Sequence, residues 1–192
     1  MKRTFVAVPI PLLPQLGGFA TNIKHKLYRE KINWVNLNSL HITLFFLGDT
    51  RETHIPQIGS VLKDSLSTVS AFEINLKGTG CFSRKGIPQV IWVGIDNYSP
   101  LSVLKSVISN DIEKFGYMAD KRIFKPHLTL GRIKYLKNKQ VLFDMIENNN
   151  TKDFGTVKIN EIIFFESELT GSGPIYNSLE KISLQQSIRH GL

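Results

Sequence analysis

The chain repeats one tetrapeptide pattern, His-x-Thr-Leu, at two places that lie 86 residues apart. The first copy is HITL at 41–44 and the second is HLTL at 127–130. When the chain is shifted against itself by this one offset, without a gap, short β-branched apolar runs coincide, so that 4–10 falls on 90–96. One offset that aligns both the tetrapeptides and their surroundings indicates an internal duplication. This duplication constrains the fold more than any other feature of the sequence.

Both halves of the duplication predict the same order of elements: strand, helix, His-containing strand, helix, strand and a final strand. The helix near the start of the second half shows the clearest pattern, with Ser99-Pro100 as a natural helix start. Its apolar residues then recur at helical spacing; they are Leu101, Leu104, Val107, Ile108, Ile112 and Phe115. Later in each half, 71–78 coincides with 157–164, and both segments predict strands.

We therefore predict an α+β protein with a bilobal internal duplication, in which two mainly antiparallel sheets flank a central cleft. The whole chain, 1–192, is expected to form a single domain, with approximate repeat halves 4–89 and 90–185. Two connections rich in Gly, Ser and Pro, at 78–88 and 168–177, are predicted to be loops.

The repeated tetrapeptide places its two polar side chains on one face of a strand. Side chains at i and i+2 project to the same side, so His41 and Thr43 project together, and so do His127 and Thr129. The alternate apolar residues face the opposite way and can pack into each lobe. If the lobes are related by a pseudo-two-fold axis, the two His-Thr pairs face each other across the cleft.

Two imidazoles and two hydroxyls around one small volume suit phosphoryl chemistry. Histidine titrates near neutral pH, so one ring can act as a base while the other acts as an acid. Threonine hydroxyls can donate to the non-bridging phosphate oxygens. The alternative is that both pairs are relics of duplication with a structural role, which is disfavoured because burying two imidazoles without partners is costly.

A metal site or a cysteine nucleophile is not expected. His41 and His127 offer two ligands with no obvious third, whereas a protein zinc site needs at least three. Cys81 is the only cysteine, so no disulfide forms within the chain, and no flanking signature marks it as reactive. No cofactor is predicted.

Basic residues cluster around the second tetrapeptide, and the chain has a net charge of +8, which favours an anionic partner. Arg132 is the first candidate for an additional phosphate-binding residue, although strict alternation from His127 would point it to the other face unless the strand changes course at Gly131. Further candidates for RNA contact are named on charge or on aromatic character alone; they are Arg84, Lys85, Lys125 and Phe45. A solvated charged face, or for Phe45 a place in the core, is the alternative.

Other expectations follow from composition. No stretch of about 18 apolar residues is present, so no membrane span is predicted. The N-terminal apolar run is broken by three prolines and lacks a cleavage pattern, which argues against a signal peptide. Together with the single cysteine, this favours a cytoplasmic location. We expect a monomer.

With these motifs the sequence resembles the 2H phosphoesterase superfamily, and more closely the RNA 2′,3′-cyclic phosphodiesterases, also called 2′-5′ RNA ligase-like proteins. The resemblance spans about residues 3 to 185. Its matching segments are RTFVAVPIP, INWVNLNSLHITLFFLGD, FKPHLTLGRI and IIFFESELTGSGPIYNSLEKISL. Relatives often have alanine where this chain has Gly131.

The resemblance implies metal-independent hydrolysis of an RNA terminal 2′,3′-cyclic phosphate to a 2′-phosphomonoester. It implies that His41 protonates the leaving 3′ oxygen, that His127 activates water, and that Thr43 and Thr129 hold the phosphate oxygens. The partners would be RNA ends or small cyclic-phosphate nucleotides. Three alternatives stay open: a 2′-5′ RNA ligase, a 2′-5′ oligonucleotide phosphodiesterase, and a non-catalytic RNA- or nucleotide-binding module of the same fold.

Overall fold

A computed structural model describes residues 1–171 and 173–186 of the chain. This part contains four α-helices and nine strands. The helices are α1 (Pro14–Lys26), α2 (Ile55–Leu66), α3 (Ser99–Glu113) and α4 (Lys139–Glu147). The strands are β1 (Lys2–Pro9), β2 (Lys31–Trp34), β3 (His41–Thr50), β4 (Phe72–Arg84), β5 (Ile87–Asp96), β6 (His127–Tyr135), β7 (Asp153–Ile159), β8 (Glu161–Thr170) and β9 (Gly173–Ser183). Short 3₁₀ helices at Leu37–Ser39 and Glu52–His54 flank β3.

The strands form two antiparallel sheets, which confirms the predicted α+β class. The first sheet has the strand order β3-β1-β8-β9, and the second has the order β2-β6-β5-β4-β7. Each pairing between neighbouring strands is antiparallel. Of the two His-containing strands, β3 is an edge strand of the first sheet and β6 is the second strand of the second sheet, and the two are in contact.

The offset of 86 residues relates six elements to six that come later in the chain, and β5 belongs to both sets. β1, α1, β3, α2, β4 and β5 correspond to β5, α3, β6, α4, β8 and β9. The two sheets nevertheless draw on both halves of the sequence, because β4 pairs with β5 while β8 pairs with β1. The division of the repeat into halves 4–89 and 90–185 stays a prediction. The boundary between these halves is not a boundary between the two sheets.

The helices cover one face of each sheet and enclose the core. In α3, the predicted apolar positions Leu101, Leu104, Ile108 and Ile112 are each at most 1% exposed, which confirms this helix. A fully buried Leu or Ile side chain contributes about 1.5–3 kcal/mol relative to an exposed one, so this stripe alone anchors α3 firmly. Pro100 lies in the first turn, where its missing N–H costs no hydrogen bond.

Three local predictions are corrected by the backbone. The segment 157–164 is not one strand, because β7 ends at Ile159 and β8 begins at Glu161. The segment 78–88, predicted as a loop, is mostly strand: β4 and β5 form a hairpin whose turn has positive φ at Lys85 and Gly86. Positive φ at both central residues matches the type I′ turn that joins twisted antiparallel strands directly.

The predicted loop at 168–177 is likewise the end of the β8–β9 hairpin, since β8 runs to Thr170 and β9 begins at Gly173. Gly, Ser and Pro are frequent in tight turns as well as in long loops. Composition alone could not separate these two cases.

Candidate active site

His41 and His127 occupy equivalent places, each as the first residue of its strand. The Nδ1 atom of His41 lies 2.9 Å from the carbonyl oxygen of Ser39, and the Nδ1 atom of His127 lies 2.8 Å from the carbonyl oxygen of Lys125. A carbonyl oxygen only accepts, so Nδ1 carries the proton and donates in both rings. The other ring nitrogen, Nε2, is thereby left as the atom that can exchange a proton.

The two rings share one electrostatic environment. Burial lowers the pKa of His41 below its ordinary value of 6.5, and the charges of Arg132 and His127 lower it further, against the opposing effect of the hydrogen bond to Ser39. Burial is also the main reason why the pKa of His127 is lowered, with a further contribution from Arg132. Both imidazoles are therefore held in the neutral form more strongly than in water. The charge of His127 acts on His41, and the strands that carry them, β3 and β6, are in contact.

Aromatic side chains pack against each ring. His41 lies 5.0 Å from Phe5 and 5.0 Å, edge-to-face, from Tyr176, measured between ring centroids. Phe165 completes this group at 6.3 Å. His127 makes an edge-to-face contact with Phe82 at 4.7 Å. These contacts explain the desolvation of both imidazoles and restrict the orientation of their rings.

The threonines lie where alternation predicts. Ile42 and Leu44 are buried while Thr43, between them, is exposed. In β6, Leu128 and Leu130 are buried in the same way, and Thr129 is half-buried. Each threonine therefore projects from the face that bears its histidine, and its hydroxyl is available to a ligand in the cleft.

A β-bulge brings Arg132 into this group. In the pairing of β5 with β6, Trp92 lies opposite Thr129 but Ile91 lies opposite Gly131, so Leu130 has no partner of its own. Leu130 and Gly131 are both buried, and the alternation restarts with Arg132 exposed. Arg132 thereby returns to the face of His127 and Thr129. Its charge contributes to the lowered pKa of His41 and of His127 and opposes the raised pKa of Tyr176, so it acts electrostatically on all three.

The same irregularity occurs in β3 and corrects one candidate. In the pairing of β1 with β3, Val6 lies opposite Phe45 and Ala7 opposite Thr43, so Leu44 is skipped. Leu44 and Phe45 both point into the core, and Phe45 is only 3% exposed. Phe45 therefore cannot stack on a base. Phe46, which is 49% exposed, takes the position equivalent to Arg132, and the guanidinium of Arg3 lies 4.8 Å from its ring centroid.

The remaining predicted RNA contacts are exposed residues outside the two tetrapeptides. Arg84 and Lys85 are exposed at the tip of the β4–β5 hairpin, and the side chain of Lys125 is exposed two residues before His127. Their positions suit contacts with a polynucleotide outside the cleft, and this role stays a prediction.

Tyr176 is the main residue of the site that sequence reasoning missed. It contacts His41, and burial raises the pKa of its phenol while the charges of Arg132 and Arg3 oppose that shift. Tyr176 reaches the site only because β8 crosses into the first sheet and carries β9 with it. Nothing in the local pattern of β9 marks the position.

A pocket of about 490 Å³ opens on the His41 side of the cleft. Its walls come from the end of β1, the 3₁₀ helix before β3, the β7–β8 turn and strands β8 and β9. His41, Phe165 and Tyr176 are among the lining residues, whereas His127 lies outside. The volume is in the range of small-molecule sites.

Neither a metal-binding cluster nor a membrane-spanning helix is found in the described residues. Within residues 1–171 and 173–186, no group of three or more His, Cys, Asp or Glu side chains is arranged to hold a metal ion. Across the same residues, no helix is both long and apolar enough to span a membrane.

Comparisons with known proteins identify relatives over most of the chain. A family model described as the 2′-5′ RNA ligase superfamily matches residues 14–170. A protein of Methanothermobacter thermautotrophicus named RNA 2′,3′-cyclic phosphodiesterase is 32% identical over 154 residues, covering 80% of this chain and 83% of that protein. A protein of Archaeoglobus fulgidus with the same name is 32% identical over 186 residues, covering 92% and 97%. The crystal structure of TT0787 from Thermus thermophilus matches with a TM-score of 0.79 and 25% identity, covering 96% and 98%.

Proposed function

The chain belongs to the 2′-5′ RNA ligase superfamily, and on that premise we propose that it hydrolyses the 2′,3′-cyclic phosphate at the 3′ end of RNA to a 2′-phosphomonoester. The relatives named RNA 2′,3′-cyclic phosphodiesterase support this activity. The observation on which it chiefly rests is the pair of imidazoles on the contacting strands β3 and β6, each with Nδ1 donating to a backbone carbonyl and Nε2 left to react.

In this mechanism His127 is the general base and His41 the general acid. Nε2 of His127 takes a proton from a water molecule whose oxygen attacks phosphorus, and the bond between phosphorus and O3′ breaks. Nε2 of protonated His41 gives its proton to O3′, so the products are a 3′-hydroxyl and a 2′-phosphomonoester. The rings then exchange protons with solvent, which restores neutral His127 and protonated His41.

The remaining groups stabilise the charge on the phosphate. Thr43 and Thr129 donate hydrogen bonds to the two non-bridging oxygens, and Arg132 supplies a positive charge beside them. Bound phosphate raises the pKa of both histidines, because its negative charge offsets that of Arg132. Substrate binding thereby favours the protonated form that His41 needs. Side chains of the protein perform every step, and no metal takes part.

A strip of positive charge favours RNA over a free cyclic nucleotide. Arg132 and Lys134 are exposed on β6, and Lys31 is exposed on β2 beside them; these three residues form the basic strip. Across the described residues, none of the three forms an ion pair with a carboxylate. A cationic strip that begins at the phosphate site can follow the RNA backbone outward.

The test is turnover of an oligoribonucleotide that ends in a 2′,3′-cyclic phosphate, in the presence of excess EDTA. We expect hydrolysis, with the phosphate left on the 2′ oxygen as read by ³¹P NMR. Loss of activity in EDTA would contradict the metal-free mechanism, and a 3′-phosphate product would contradict the assignment of the leaving oxygen. Binding of the RNA end without turnover would favour the non-catalytic module.

Ligation is tested in the same assay. An RNA with a 5′-hydroxyl is added in excess, because that hydroxyl can replace water as the nucleophile that attacks phosphorus and displaces O3′. Formation of a 2′-5′ bond faster than hydrolysis would favour the ligase alternative.

A further inference from the structure

We call the cavity of about 490 Å³ beside His41 the His41 pocket. The phosphate site described above does not account for what this pocket binds. The pocket shares His41 with the phosphate site but includes neither His127 nor Arg132. A ligand that fills it must therefore extend from the reacting phosphate towards the acid and away from the base.

The direction of the reaction determines which part of the substrate lies there. In an in-line displacement, attacking water and leaving oxygen lie on opposite sides of phosphorus. The leaving O3′ belongs to the terminal ribose, and it faces His41 in the mechanism proposed above. The terminal nucleoside therefore lies on the His41 side, where this pocket is the cavity beside the ring. This step rests on the proposed function.

The walls of the His41 pocket suit a nucleobase. Phe165 and Tyr176 line it, and their ring centroids lie 6.2 Å apart. Ile163 and Pro9 add apolar surface on neighbouring strands. Aromatic rings stack on bases of any sequence, so these walls bind a base without selecting one.

Discrimination between bases requires polar groups in the His41 pocket. The carboxylate of Glu161 is the group that discriminates most between them. Glu161 begins β8, lines the His41 pocket and is half-buried. Within the described residues it forms neither an ion pair nor a side-chain hydrogen bond, so its two carboxylate oxygens are available. A carboxylate only accepts hydrogen bonds and repels a phosphate, so this end of the pocket fits an uncharged group with donors.

We propose that the His41 pocket binds the terminal nucleobase and that Glu161 makes it selective for guanine. Guanine presents two adjacent donors, N1–H and the N2 amino group, which match the two oxygens of one carboxylate. Adenine and cytosine offer one amino group next to an acceptor nitrogen, and uracil offers one N–H between two carbonyls. The ammonium group of Lys158, also in the lining, is suited to the O6 acceptor of guanine.

The first experiment compares kcat/KM for the 2′,3′-cyclic phosphates of guanosine, adenosine, cytidine and uridine. We expect guanosine to be preferred by at least about tenfold, the ratio that one hydrogen bond to a charged group provides. Glu161→Gln should lower kcat/KM for guanosine to the level of the others and leave the other three within about twofold. Glu168→Gln is the matched control, because Glu168 lies on the same strand but outside the His41 pocket.

The second experiment measures binding without turnover, by calorimetry with guanosine 2′-monophosphate, adenosine 2′-monophosphate and inorganic phosphate. Guanosine 2′-monophosphate should bind more tightly than the adenosine compound, and Glu161→Gln should abolish the difference while phosphate affinity is unchanged. Asn38→Trp, at an exposed position in the lining, should weaken both nucleotides and spare phosphate.

The outcomes separate this inference from the proposed function. Turnover of all four cyclic nucleotides at equal rates, or an equal loss for all four in Glu161→Gln, overturns guanine selection and leaves the phosphodiesterase intact. The protein could instead bind guanosine 2′-monophosphate preferentially, in a way that depends on Glu161, and turn over no substrate. That result would support guanine binding in the His41 pocket and contradict the proposed activity.

Discussion

Arg132 lies on the same face of β6 as His127, although five positions separate them and strict alternation would place them on opposite faces. The β-bulge at Leu130–Gly131 accounts for this relationship, because it adds one residue between them without changing the outward face. Arg132 therefore acts electrostatically on both histidines of the cleft.

Replacing Arg132 should raise the pKa of both histidines. Arg132→Gln removes a positive charge that disfavours the imidazolium form of His41 and of His127, so each ring should titrate at higher pH than in the unmodified protein. Affinity for inorganic phosphate should fall at the same time. NMR titration of the ring protons measures both effects. Lys134→Gln is the control, since Lys134 contributes to neither shift, and an equal change in that variant would contradict the prediction.

For the unmodified protein, kcat/KM plotted against pH should give a bell-shaped curve with its maximum at acidic pH. One histidine must be neutral and the other charged, so kcat/KM falls on both sides of its maximum. Since the pKa of each ring in the free protein is below 6.5, the maximum of kcat/KM should lie below pH 6.5. Bound phosphate raises both pKa values, so the maximum of kcat should lie at higher pH than that of kcat/KM. A profile that only rises with pH would exclude the two-histidine mechanism.

Replacing either histidine should abolish most of the activity. His41→Ala and His127→Ala should each lower kcat by about 10²–10⁴-fold, the usual contribution of general acid–base catalysis, while KM changes little. The double variant should be scarcely worse than either single variant, because the two rings act as a unit. His25→Ala, on the exposed side of α1, serves as the control. A loss below tenfold in one single variant would remove that histidine from the mechanism.

The basic strip should contribute to binding of oligonucleotides but not of mononucleotides. Replacing Lys31 and Lys134 by Gln should raise KM for a cyclic-phosphate oligonucleotide and leave the cyclic mononucleotides unaffected. The slope of log affinity against log salt concentration should decrease by about 0.7 for each lysine that contacts single-stranded RNA.

The control for the basic strip replaces two lysines that are already paired. Lys63 lies 3.8 Å from Glu180, and Lys77 lies 3.1 Å from Asp96, measured from Nζ to a carboxylate oxygen. Lys63→Gln with Lys77→Gln removes the same total charge away from the strip. Equal losses in the two double variants would show that net charge, rather than the strip, attracts RNA.

Packing behind His127 depends on a glycine. A Cβ atom at Gly80 would lie 2.1 Å from the Trp92 ring, and Trp92 in turn contacts Phe82, the aromatic neighbour of His127. Gly80→Ala should therefore destabilise the protein by about 1–3 kcal/mol, as overpacking does, and shift the fluorescence of Trp92. Denaturant unfolding measures the change in the free energy of unfolding.

Gly18→Ala is the matched control for this substitution. Gly18 lies in α1, and a Cβ atom there meets no other atom within 4 Å. This change should be neutral or stabilise the protein by about 0.4–1 kcal/mol, because it restricts the unfolded chain. If Gly80→Ala were equally harmless, Trp92 would be free to move and could not hold Phe82 against His127.

Spacing along the chain was enough to predict the duplication, the apolar stripe of α3 and the common face of His41 with Thr43 and of His127 with Thr129. These features depend on spacing along one element, where the geometry of a helix or strand is set by the backbone alone. The offset of 86 residues also relates β4 to β8, although the local pattern predicted the wrong bounds for these strands.

The position of Arg132, the burial of Phe45, the contact of Tyr176 with His41 and the place of Glu161 in the His41 pocket depend on how the strands pair. The first two depend on bulges, which exist only in the hydrogen-bond register between two strands. The last two depend on β8, which leaves its own half of the sequence and pairs with β1. Such pairings join residues that are far apart in the chain. They therefore produce no periodic pattern of residues within a single segment, which is what sequence analysis reads.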